Sequence, residues 1–189
     1  MRIRRPPGWR APARWSALLL ACSCAGAAWG QGISASDNLV RAAFVYNFAK
    51  FTEWPAGAFA SAQAPLQLCI AASRGAISGV FDGFEGKLAQ GRPIRPRHVQ
   101  KGDDLGTCHI LYVSDDDQRQ FGDALRAIAS RPVLTVGDAD GFAESGGIIG
   151  LIEVNDKIGF EVNVDASQRS QLKISSQLLR LAKIVKGRT

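Results

Sequence analysis

The side chains suited to covalent or metal chemistry are few: four cysteines and two histidines in 189 residues. His98 and His109 form no His-x-x-x-His pair and no glutamate lies between paired histidines, so the spacing predicts no zinc site. The run Asp115-Asp116-Asp117 is acidic enough for a hard cation. Calcium loops, however, set their oxygens at alternate positions around a glycine turn with a distal glutamate, and that pattern is missing. A solvated helix start is the better reading, because carboxylates there complement the positive end of the helix dipole. Acyl transfer would want a nucleophile on a Gly-x-Ser-x-Gly elbow, whereas Ser145 lies in Glu-Ser-Gly-Gly. Gly141, Gly146, Gly147 and Gly150 are dense enough for a phosphate cradle. No Gly-Lys-Ser/Thr accompanies them, and they lead into a strand where a phosphate loop leads into a helix. The sequence therefore predicts no catalytic residue, no metal and no cofactor, with these glycines making turns.

Two stripes point instead to contacts. Phe44, Phe48, Phe51 and nearby Trp54 form an aromatic band on one predicted helix. Such bands are core packing more often than not, yet aromatics are also enriched at binding hot spots. Arg169, Lys173, Arg180 and Lys183 fall at helical spacing near the C-terminus and predict a basic face, solvated by default or turned toward an acidic partner.

Charge has to be read after the leader is considered. Residues 1–30 hold Arg2, Arg4, Arg5, Arg10 and Arg14 without an acid, then an apolar stretch over 15–28 and the small-x-small pattern Ala28-Trp29-Gly30. This is the layout of a secretory signal, with cleavage expected between Gly30 and Gln31. The apolar run falls short of the roughly 20 residues that span a bilayer. Leu19-Leu20-Ala21-Cys22 resembles a lipobox, which makes lipidation at Cys22 the minor alternative. The full chain carries 23 Lys and Arg against 17 Asp and Glu, and losing five arginines leaves 18 against 17, a net charge of +1. A nucleic-acid partner is thereby disfavoured.

The mature chain, 31–189, reads as one α/β domain: a three-layer sandwich with a mostly parallel sheet, helices on both faces and an antiparallel hairpin at one edge. Helices are predicted over 37–53, capped by Ser36 or Asp37 and stopped by Pro55, more weakly over 76–85, over 117–130 with Phe121, Leu125 and Ile128 inward, and over 166–186. The last takes its stripe from Ile174, Leu178, Leu181, Ala182 and Val185. Strands are predicted over 66–72, 108–113 and 133–136, with a hairpin over 148–154 and 158–164 joined by Asn155-Asp156-Lys157. Pro93 and Pro96 restrict 92–99 to an edge strand or extended loop. Cys69 and Cys108, the cysteines left after the leader, then lie on strands that can be neighbours, and an oxidising compartment would join them. No Cys-x-x-Cys spacing suggests a redox-active role. A small-ligand sensor with its site at the carboxyl ends of the strands is the rival functional class.

Longer stretches are familiar. Residues 41–55 (RAAFVYNFAKFTEWP), Gly141-Phe142-Ala143 with Gly146-Gly147, Phe160-Glu161-Val162-Asn163, and 172–179 (LKISSQLL) resemble the YfiR family over essentially the whole mature chain. The resemblance implies a non-enzymatic periplasmic repressor. Its expected partner is the periplasmic region of an inner-membrane diguanylate cyclase, and its antagonist an outer-membrane lipoprotein that sequesters it. It also implies a homodimer and matches Cys69 and Cys108 to the family's structural disulfide. The second cysteine pair of some members, near the glycine-rich segment, has no counterpart here. Exposed parts of the first helix and the 141–147 loop, with Gly141, Phe142, Gly146 and Gly147, are the expected contact surfaces.

Overall fold

The structure, a computed structural model, describes residues 35–72 and 77–187. The leader, its cleavage point, Cys22 and Ala76 lie outside the described residues. Helix α1 (Ala35–Phe51) carries Asp37 in its first turn and Lys50 in its last, complementing its dipole, and buries Ala42, Val45, Phe48 and Ala49 along one stripe. It runs directly into β1 (Thr52–Glu53), and Pro55 follows.

Eight further strands make the main sheet: β2 (Leu66–Ala71), β3 (Leu88–Ala89), β4 (Arg92–His98), β5 (Ile110–Val113), β6 (Leu134–Gly137), β7 (Ile149–Val154), β8 (Lys157–Asn163) and β10 (Lys183–Val185). Their order is β10-β8-β7-β6-β5-β2-β4-β3. The sheet is mostly parallel and curls strongly into a half-barrel, with β7–β8 and β3–β4 as its antiparallel pairs. Three further helices are α2 (Ile77–Asp82), α3 (Asp115–Ala127) and α4 (Val164–Arg169). Alternation along the strands builds two cores. Leu66, Leu68, Ile70, Ile110 and Tyr112 pack with Phe48 of α1 and Phe81 of α2, while Cys69, Ala71, Leu111 and Val113 pack with Phe121 of α3. Each fully buried phenylalanine stabilises the fold by roughly 1.5–3 kcal/mol.

Cys69 in β2 and Cys108, two residues ahead of the adjacent parallel strand β5, are bonded, with Cα atoms 5.8 Å apart. Pro93 and Pro96 are accommodated as their missing N–H groups require. Pro93 precedes the first residue paired with β2, and Pro96 shares the outward parity of Ile94, whose N–H reaches Lys87 rather than β2. At the turn of the β7–β8 hairpin, Asn155 and Asp156 both have positive φ, as a two-residue type I′ connection demands.

The predicted helix over 166–186 is not formed. α4 ends at Arg169 with Gln171 at positive φ, and β9 (Lys173–Ile174) then pairs antiparallel with β1. Ser175 caps the short α5 (Ser176–Leu179) by accepting from the Leu178 N–H. β10 finally joins the sheet beside β8, so the hairpin is internal and β10 is the edge. The helical period of Ile174, Leu178, Leu181, Ala182 and Val185 is overridden by two strand partners, β1 and β8, which the β-branched Ile174, Ile184 and Val185 fit.

Candidate functional site

The basic residues near the C-terminus separate with that helix. Arg169 ends α4, Lys173 lies in β9 opposite Glu53, Arg180 caps α5, and Lys183 in β10 is 3.6 Å from the buried Glu161 carboxylate. They do not make one face.

The aromatic band divides as well. Phe48 is wholly enclosed, meeting Phe160 with ring centroids 5.0 Å apart, and Phe44 packs beside both. Phe51 and Trp54 are half-buried against the same core. The Trp54 indole N–H donates to the His109 carbonyl at 3.2 Å, so its polar end is used within the fold. At this end of the sheet Phe59 stacks on His109 (4.2 Å between centroids, 10° between planes), and the Arg92 guanidinium lies 3.7 Å over the Phe59 ring. His109 Nδ1 accepts from the Gln67 N–H and Nε2 lies 3.0 Å from the Ala58 carbonyl, which together fix the neutral Nε2–H tautomer. Burial holds its pKa below the usual histidine range; the nearby Arg92 charge pushes the same way, and the Ala58 bond only partly opposes it.

The carboxyl ends of β5 and β6 carry a polar cluster that spacing alone did not reveal. Asp138, just beyond β6, accepts from the Tyr112 hydroxyl at 2.6 Å and from the Asp115 N–H at 2.7 Å. It also lies 3.3 Å from Nη1 of Arg41 on α1, with side chains 11% and 6% exposed for Arg41 and Asp138. Burial, then the Asp138 charge, raises the Tyr112 pKa far above that of a free phenol, so the hydroxyl stays a donor. The triplet ties α1 to the sheet where a ligand of an open α/β fold would ordinarily enter between these strands. The forward signal was Arg41 standing beside the buried Ala42 and Val45 of α1.

The 141–147 loop packs by way of Phe142, which is 2% exposed and lies in the second core. Its ring sits against Gly137 and Gly147, where an added Cβ would approach to 2.3 and 2.2 Å. Gly141 and Gly146 have positive φ, and Gly146 with Ser145 is exposed. This loop closes one side of a groove of about 510 Å³ between α3 and the end of α4. Gly146, Gly147 and Arg169 all line that groove, which brings two of the separately predicted features together. Asp115 and Asp116 lie exposed in the first turn of α3, while Ser114 donates to the buried Asp117.

Ser78, His98 and Asp82 are linked in series, Ser78 Oγ to His98 Nδ1 at 3.1 Å and His98 Nε2 to Asp82 at 2.8 Å. His98 and Asp82 are about half exposed, so solvent screens the pair, and the trio clasps α2 to β4 at the surface. Among the described residues no cluster of three or more His, Cys, Asp or Glu is placed to hold a metal, and no helix is long and apolar enough to cross a membrane.

A family model described as YfiR/HmsC-like matches residues 38–183, from the first turn of α1 to the start of β10. The chain belongs to the YfiR/HmsC-like family, a family of periplasmic regulators of diguanylate cyclase.

Proposed function

We propose that the mature chain is a non-enzymatic periplasmic regulator that represses an inner-membrane diguanylate cyclase by binding its periplasmic region, thereby lowering cyclic di-GMP. The observation that carries this reading is the family match across 38–183. Residues 1–30 export the chain and are cleaved near Gly30, with lipidation at Cys22 the alternative; the Cys69–Cys108 bond suits an oxidising compartment. The protein acts as a homodimer, and an outer-membrane lipoprotein relieves repression by competing for it.

The start of α1 is the best-suited contact surface. Leu39 and Val40 are 60% and 43% exposed, adjacent, and followed by Arg41, whose pairing with Asp138 fixes the helix before a partner arrives. A patch on a fixed element loses little conformational freedom on binding. The 141–147 loop offers a second surface at Ser145 and Gly146. In a deletion strain, an exported Leu39→Asp/Val40→Asp chain should fail to repress while melting as the wild type does. Full repression by that variant would exclude the start of α1 as the contact.

A further inference from the structure

We infer that the groove between α3 and α4 is a binding site for a small organic anion with an apolar body. Its shape follows from α3. Gln118, Gly122 and Leu125 succeed one another along one side of α3, and Ala129, just past its end, continues the lining of the groove. Gly122 opens its middle: a Cβ there would meet only the Arg126 guanidinium, at 3.8 Å. Phe142 and Ile148 add apolar surface from the other side, and about 510 Å³ matches the usual range of small-molecule sites.

The charge selects the class of ligand. Three guanidinium groups, from Arg119, Arg126 and Arg169, line the groove against one carboxylate, Asp123. Asp123 is bonded to Arg126, which leaves Arg119 on α3 and Arg169 on α4 without an ion-pair partner among the described residues. Arg119 and Arg169, beside the apolar lining, can therefore give charge-assisted hydrogen bonds to an anion seated in the groove. The site is separate from the α1 surface assigned to the cyclase, so it stands or falls independently of repression.

The test is a fluorescence titration of the purified mature protein with 8-anilinonaphthalene-1-sulfonate, an apolar anion, and with N-phenyl-1-naphthylamine, its uncharged counterpart. Saturable binding of the sulfonate at one site is expected, at least tenfold tighter than that of the neutral probe. Gly122→Leu, which fills the groove at a solvent-facing helix position, should weaken sulfonate binding at least tenfold. Arg119→Glu/Arg169→Glu, a surface change checked by an unaltered melting temperature, should do the same and leave the neutral probe unaffected. Equal binding of the two probes, or wild-type sulfonate binding by the arginine variant, would overturn the assignment.

Discussion

The Tyr112 hydroxyl donates to Asp138 Oδ2 at 2.6 Å, and the same oxygen faces Arg41 at 3.3 Å. One carboxylate therefore joins two sheet strands to α1, and this junction sets the direction in which the exposed start of the helix points.

Removing Asp138 strands a buried guanidinium, whose Nε already lacks a partner. Asp138→Ala should cost about 3–5 kcal/mol, and Tyr112→Phe about 1.5–3 kcal/mol, the usual range for a hydrogen bond to a charged group. Urea unfolding midpoints measure both; a wild-type midpoint for Asp138→Ala would refute the junction.

Acid should weaken the fold through His109. Unfolded, this imidazole takes a proton near pH 6.5; folded, it resists protonation until lower pH, because the ring is buried and Nδ1 is already an acceptor. Below 6.5 the unfolded state binds more protons, so stability is full above that pH and is lost as pH falls toward the folded pKa. Urea midpoints followed from about pH 7.5 to about pH 5 should decline, and His109→Asn should decline less. Parallel pH profiles for the two proteins would show that His109 is not the group responsible.

Reduction should destabilise strongly. The Cys69–Cys108 bond spans 39 residues, a loop worth about 4 kcal/mol in the chain-entropy model. Adding a thiol reductant should lower the melting temperature to that of a Cys69→Ala/Cys108→Ala chain. An unchanged melting temperature in the reduced protein would contradict a structural role.

Gly147→Ala should destabilise by about 1–3 kcal/mol, since its Cβ would intrude on the buried Phe142 ring. Phe142→Leu in the same chain should recover part of the loss, and thermal melts of the two variants decide it. Equal melting temperatures would mean that the glycine is kept for another reason.

Much of this was legible in order of residues. Phe44, Phe48 and Phe51 announced α1, the apolar runs around Cys69 and Leu111 announced strands that could be neighbours, and Asn155-Asp156-Lys157 announced the hairpin connection, of which Lys157 belongs to β8. Periodicity failed at the C-terminus because Ile174 and Val185 fit a helix alone but fit β9 and β10 once β1 and β8 are present. Ser170 and Ser175, which end one helix and begin the next, were the local signals. Of the site, the glycine loop and Arg169 were each visible. Their convergence was not, because it depends on α3 and α4 lying on either side of one groove.

Repression is tested most directly by measuring cyclic di-GMP in the native host for the wild type, a deletion strain, and a deletion strain expressing the exported protein. A rise on deletion that complementation reverses is the expected result. An unchanged level on deletion, with the cyclase expressed, would contradict it.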